Sequence, residues 1–456
     1  MKVCKFGGSS VADAKQIQKI CKIIMADPTR QIIVVSAPGK RFEDDKKITD
    51  MLMRCAEERL ADGDWETPLD EVKERYRAIC NELALPDSVM ESVSQALYDT
   101  VAGPTEYVGR YQDAVKAAGE DNSARVIAGA LRKAGCNARY LNPGDAGLHV
   151  TDEYGHARLI PGSLEKLGEL SFTEDIIVFP GFFGYTPNGE VVTFSRGGSD
   201  ITGAILAAAV TAELYENFTD VDAVFVANPR IIQNPLAVRE LTYREMRELS
   251  YAGFGVLHDE AIVPAVRANI PICIKNTNAP DAPGTMIVPE HQVIDSRVVG
   301  IATSGGFCTV FVSKYLMNRE IGFGRRLLQI FEEEGVSYEH TPSGIDNISI
   351  IIDEASFPES TEKIVCERIQ KELEPDNVSV EHGMALIMIV GEGMRYAVGL
   401  ARAATTCLAE AGVNLEMLNQ GSSEISMMFG VSEHDALPAL KALYKAFFEK
   451  PAEEAS

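Results

Sequence analysis

The sequence predicts an α/β domain on a mainly parallel sheet flanked by helices, followed by two small ferredoxin-like α+β modules. Up to about residue 290, wholly apolar runs such as Ile32-Ile33-Val34-Val35 alternate with helical stretches, the pattern of strands covered on both faces. Twice in that region a strand runs through a glycine turn into a helix, at Lys5-Phe6-Gly7-Gly8-Ser9-Ser10 and at Phe194-Ser195-Arg196-Gly197-Gly198-Ser199-Asp200. After about residue 298, the order strand, helix, strand, strand, helix occurs twice.

Val3, Cys4 and Phe6 make the first strand. Val11, Ala14, Ile17, Ile20, Cys21 and Ile24 then recur at helical spacing until Asp27-Pro28, so Gly7 and Gly8 are expected to open a helix whose free N–H groups face an anion. Ser36-Ala37-Pro38-Gly39 leaves the carboxyl end of the second strand, where open α/β sheets bind ligands. Residues 43–118 are charged and helical and read as an insertion over the sheet edge, with Trp65 as packing. Further strands are expected at Ala138–Leu141, Ile176–Phe179, Glu190–Phe194, Leu214–Phe218, Val224–Val226 and Ile272–Lys275, with a helix over Ile201–Ala212.

The first C-terminal copy runs through Thr309–Val312, a helix around Leu327–Phe331, Glu334–Ser337, Ile348–Ile352 and a helix over Thr361–Leu373. The second runs through Leu386–Val390, Leu400–Leu408, Glu410–Asn414, Ile425–Phe429 and Ala436–Phe448, each copy leaving room for a last strand. Gly391-Glu392-Gly393 imitates a dinucleotide fingerprint, but Tyr396 stands where its third glycine belongs, so a hairpin loop is expected. Gly39-Lys40 is not a P-loop, since Arg41 follows.

At 456 residues, roughly two or three domains are expected. A net charge of −24 argues against nucleic acid and repels anionic substrates, which singles out Lys5, Arg196 and Arg230 as local positive groups. The nine cysteines never stand in CxxC spacing, as expected of reduced thiols in the cytoplasm. With no leader and no long apolar run, a cytoplasmic protein without membrane contact is the expectation. The C-terminal modules contain no His/Cys metal cluster and no nucleophile beside a base, and His149 and His258 read as structural.

Two glycine turns in one α/β domain can face each other across a phosphate chain, with Lys5 as a point charge. Arg196 and Asp200 flank the second turn, where a capping turn with a surface ion pair is the alternative reading. Asn217-Phe218-Thr219-Asp220-Val221-Asp222, with Asn228-Pro229-Arg230 beyond it, is a polar strand end suited to a nucleotide.

Taken together, KFGGSS, SRGGSD, TDVD with NPR after it, and the paired C-terminal modules resemble aspartate kinase over nearly the whole chain. The segments Gly253–Asp259 and Ile274–Asn278 look like the monofunctional bacterial branch. The resemblance implies an amino-acid-kinase fold over 1–290 and two ACT domains over 298–456, with no fused homoserine dehydrogenase. It implies ATP-dependent phosphorylation of L-aspartate, the first step toward lysine, threonine and methionine, with Mg²⁺ held mainly through the phosphates and no protein metal site. Lys5, Gly7, Gly8 and Asp200 would be catalytic. Ser36, Thr49, Glu120, Phe182, Arg196 and Ser199 would hold aspartate, Glu120 taking its ammonium and Arg196 its α-carboxylate; a solvated helix glutamate is the plainer reading of Glu120. Lys5, Gly8, Ser9, Gly198, Thr219, Asp220, Phe225 and Arg230 would hold ATP. Many relatives carry a lysine at the position of Gly255, and Lys275 would substitute for it. Met317, Gly322, Phe323, Ser337, Thr341 and Ser343 would form a feedback site for lysine, with threonine as the alternative. A homodimer through the ACT domains is implied, with a tetramer as the alternative. Kinases of glutamate, acetylglutamate, carbamate or nucleoside monophosphates, and an inactive ACT amino-acid sensor, are the competing readings.

Overall fold

The computed structural model describes residues 1–255, 259–292, 297–421, 423 and 425–449; His258 lies outside them. The chain divides into two compact units, one of Met1–Val224, Ala237–Met246 and Gly255–Gln292, the other of Phe225–Leu236, Arg247–Phe254 and Val293–Ser456.

Strands of the first unit are β1 (Lys2–Phe6), β2 (Arg30–Val35), β3 (Ala138–Tyr140), β4 (Ile176–Pro180), β5 (Phe183–Tyr185), β6 (Val191–Thr193), β7 (Leu214–Thr219), β8 (Glu240–Thr242), β9 (Ile272–Asn276) and β10 (Thr285–Val288). Eight of them form one sheet in the order β3-β4-β2-β1-β7-β9-β10-β8, while β5 and β6 make a separate antiparallel pair. Neighbours in the large sheet are parallel except β9 and β10. The expected strand at Val224–Val226 does not form. There the Val224 amide donates to Thr285 Oγ1 and its carbonyl accepts from the Val238 amide, so both groups are satisfied without a continuous strand.

Helices α1 (Ala14–Met25), α2 (Ile48–Leu60), α3 (Glu66–Glu82), α4 (Asp87–Val101) and α5 (Val108–Lys133) follow; α5 packs on β2, β3 and β4, α2 and α4 pack on α5, and α3 packs on α2 and α4. Leu52, Tyr76, Val93 and Leu97 share one hydrophobic cluster with Cys4, Phe6, Ile33 and Val35, and α5 carries the helical region past residue 118. Short helices α6 (Pro143–Ala146) and α7 (Ser163–Gly168) precede α8 (Gly198–Ala209), and α9 (Tyr243–Tyr251) and α10 (Val263–Arg267) follow. In α8, a Cβ on Gly203 would lie 2.7 Å from atoms of the Tyr215 ring, so the ring packs directly on the helix backbone.

The glycine turn differs from expectation. Gly8–Val11 forms a 3₁₀ turn, and α1 begins only at Ala14, capped by Asp13 accepting from the Gln16 amide. One of the first helical N–H groups, that of Gln16, is therefore spent on the Asp13 side chain.

The second unit holds one sheet of β11 (Gly300–Ser313), β12 (Asn347–Asp353), β13 (Asn377–Val390), β14 (Met417–Asn419) and β15 (Ser426–Ser432), ordered β12-β11-β13-β15-β14. Helices α11 (Phe323–Glu333), α12 (Glu359–Leu373), α13 (Leu400–Glu410) and α14 (Ala436–Phe448) accompany it. The two copies are interleaved rather than tandem. Residues 307–313 of β11 pair with β12 and with 377–384, whereas residues 300–304 pair with 386–390 and supply the second copy's missing strand. Segment Glu334–Ser337 forms no strand; its ladder is reduced to bridges at His340–Ile351 and Ser343–Ile348. Gly391 leads into a 3₁₀ helix over Glu392–Tyr396 rather than a hairpin.

Candidate active site

The carboxyl ends of β1, β2, β4 and β7 meet in one ring of backbone contacts. The Ser36 amide donates to Phe6 O (3.1 Å), Gly181 to Val35 O (2.9 Å), Gly7 to Phe218 O (3.1 Å) and Gly39 to Gly8 O (2.8 Å). Gly7's amide is thus engaged, while those of Gly8 and Ser9 have no acceptor among the described residues. A Cβ on Gly39 would fall 2.7 Å from the carbonyl carbon of Gly8, so only glycine lets the two backbones touch.

Lys5 is not the exposed strand-end lysine its position suggests. It is 8% exposed, and its Nζ lies 2.7 Å from Asp200 Oδ1. Asn217, Lys5's register partner on β7, donates through Nδ2 to the same oxygen at 2.7 Å. Asp200 sits in the first turn of α8, entered through Gly197 at φ +80°, so the helix's positive end faces the same place. Asp200 pairs with Lys5 rather than with Arg196, which is exposed and has no ion-pair partner among the described residues. The two glycine turns are therefore joined by one ion pair.

Around it, Gly181 packs on Ser199, and Phe182 lies over Gly198 with φ +79°, a left-handed conformation costly for a non-glycine residue. The Phe182 amide donates to Thr202 Oγ1 (3.0 Å), and that hydroxyl donates to Gly198 O (3.0 Å). Glu120 is 6% exposed rather than solvated, and its Oε2 has no hydrogen-bond partner among the described residues. Burial pushes its carboxyl up to about 8, against a pull from the backbone of Ala37. Gly119 beside it packs on Ala37, in the segment after Ser36. Thr49, half-buried, is the second residue of α2, whose first amide, from Ile48, donates to Pro38 O.

At the end of β7, Thr219 Oγ1 donates to Asp220 Oδ1 (3.2 Å), and Asn276 Nδ2 reaches Asp222 Oδ1 (2.7 Å). Lys275 pairs in register with Phe218, whose ring stacks on Phe6, so it stands on the sheet face opposite Lys5. Gly255 is exposed, and among the described residues nothing lies within 4 Å of its Cβ position. Phe225 and Arg230 belong to the second unit, where Arg230 is exposed and its amide donates to Asn228 Oδ1.

In the second unit, Met317 and Phe323 are buried and Gly322 caps α11 at φ +80°. A cavity of about 460 Å³ is lined by Ser343 with Thr309, Asn347, Glu381 and Met384; Met317, Gly322, Phe323, Ser337 and Thr341 are not among its lining. Asn217 and Thr202 stood in the sequence only as members of their segments. The signal for Asn217 is a polar residue in a buried strand beside Lys5.

Residues 1–276 match the profile of the amino acid kinase family, and residues 387–447 that of the ACT domain. The chain is 54% identical over 448 residues to Aspartokinase 3 of Bacillus subtilis (strain 168), spanning 98% of this chain and 99% of that one. Its fold superimposes on the crystal structure of Clostridium acetobutylicum aspartate kinase with a TM-score of 0.86 at 38% identity, covering 98% of this chain and 100% of the other. E. coli aspartokinase III, solved in complex with aspartate and ADP, shares the fold with a TM-score of 0.76 at 24% identity over 98% of this chain and 100% of that one.

Proposed function

The chain belongs to the amino acid kinase family as an aspartate kinase, and from that premise we propose that it moves the γ-phosphoryl group of ATP onto the side-chain carboxylate of L-aspartate, under feedback by lysine. The observation that carries the catalytic reading is the Lys5 amine, fixed by Asp200 beside the Gly7–Gly8 turn. The acceptor carboxylate, with an ordinary pKa of about 4, is already an anion at neutral pH, so no general base is needed. Catalysis is then positioning plus positive charge. Lys5, the free amides of Gly8 and Ser9, and the amino end of α8 with Gly198 offset charge on the phosphates.

Aspartate is oriented by Glu120 at its ammonium and Arg196 at its α-carboxylate, with Ser36, Thr49, Phe182 and Ser199 shaping the site. Thr219, Asp220, Phe225, Arg230 and Lys275 serve the nucleotide. Among the described residues no cluster of three His, Cys, Asp or Glu could cage a metal. Asp200, the unpartnered Asn217 Oδ1 and exposed Asp220 fit a Mg²⁺ bound chiefly by phosphate oxygens. Bound there, the ion would shield the triphosphate from the incoming anion.

Residues 1–290 act as the catalytic domain and 298–456 as the regulatory one, with Met317, Gly322, Phe323, Ser337, Thr341 and Ser343 as the effector site of an ACT-paired homodimer. No described helix is long and apolar enough to cross a membrane, which supports a cytoplasmic place. The test is ADP release by the purified chain with MgATP and aspartate, then with lysine, threonine or both. Inertia toward aspartate would overturn the catalytic reading, and indifference to lysine the regulatory one.

A further inference from the structure

We propose that Arg75 is a positioning residue for the phosphate-holding turn, the contact through which the helical insertion sets Gly8 against Gly39. Arg75 stands on α3, 6% exposed. Its Nη2 donates to Gly39 O (2.7 Å) and Ala12 O (3.3 Å), and its Nη1 donates to Lys46 O (3.2 Å) and pairs with Asp45 Oδ2 (3.0 Å). Ala12 closes the 3₁₀ turn that starts at Gly8, and Gly39 lies against Gly8 in backbone contact. One guanidinium therefore grips both segments that meet at the turn.

The chemistry suits arginine alone. Several buried carbonyls converging from separate segments need a planar group with donors pointing in several directions, which neither lysine nor an apolar side chain offers. Burial draws the guanidinium's pKa down, with Asp45 opposing, but arginine remains charged. Asp45 is also held by Arg41, so loss of Arg75 does not strand it. Without Arg75 the Gly39 and Ala12 carbonyls lose their donor, and the segment carrying Gly39 is free to shift relative to the turn.

This inference rests on the reading of Gly7–Gly8 as the phosphate turn. In Arg75→Ala, shown folded by circular dichroism, kcat is expected to fall about 10- to 100-fold, the effect of a displacement on the order of 1 Å. The KM for aspartate should change far less, and millimolar guanidinium should restore several-fold of the lost kcat. Arg75→Lys keeps the charge and reaches fewer carbonyls, so its kcat should be intermediate; it carries the test if the alanine variant does not fold. A folded variant with wild-type kcat, or a loss that guanidinium leaves untouched, overturns the inference. If Lys5→Ala keeps full turnover, the turn's reading fails; if Lys5→Ala is dead and Arg75→Ala fully active, only the role of Arg75 does.

Discussion

Lys5 Nζ and Asp200 Oδ1 lie 2.7 Å apart, with their side chains 9% and 15% exposed. The pair spans the two glycine turns and leaves Asp200 anchored by Asn217 as well. Lys5→Ala should lower kcat roughly 100- to 1000-fold, the scale of removing one preorganised positive donor. Because the amine is largely buried, its loss should also cost stability, up to about 3–5 kcal/mol if Asp200 finds no new partner. Steady-state kinetics and chemical denaturation measure the two effects; near-normal turnover would end the assignment.

Glu120 makes stability depend on pH. Its carboxyl titrates near 8 in the folded chain against an ordinary 4.5, because burial disfavours the anion. The folded state binds the proton more tightly, so this group's contribution is full below about pH 4.5 and drains away as pH rises to about 8. Glu120→Gln should therefore gain thermal stability over the native chain across that window. Melting temperatures that stay parallel from pH 5 to 8 would contradict it.

Thr202 holds Phe182 in its left-handed conformation. Thr202→Val keeps the shape but strands the Phe182 amide, at about 1–3 kcal/mol. Since about 1.4 kcal/mol is tenfold in affinity, the KM for aspartate should rise by roughly that factor or more. Thr202→Ser retains the hydroxyl and should behave as wild type. Equal kinetics in the valine and serine variants would sink the idea.

The turns and Lys5 were legible because strand, turn and helix are local patterns. What Lys5 touches was not, since Asp200 is far along the chain and its neighbour Arg196 offered a plausible surface pair. Glu120 was obscured by its own helix. Asp121 and Arg125 pair on one side of α5, giving the segment a solvated look, while the insertion buries the side that carries Glu120. Strands β5, β8 and β10 are too short for alternation to register. In the C-terminal half, periodicity marked the strands without naming their partners, so an interleaved sheet read as tandem copies.

That interleaving bears on how the chain is made. Residues 300–304 leave the ribosome well before 386–390, their ladder partners, so the first half of β11 emerges as an orphan edge. Closing the sheet must wait for nearly the whole polypeptide. A stop codon ahead of β13 would thus leave β11 with unpaired backbone, and aggregation of such nascent fragments is the expected price.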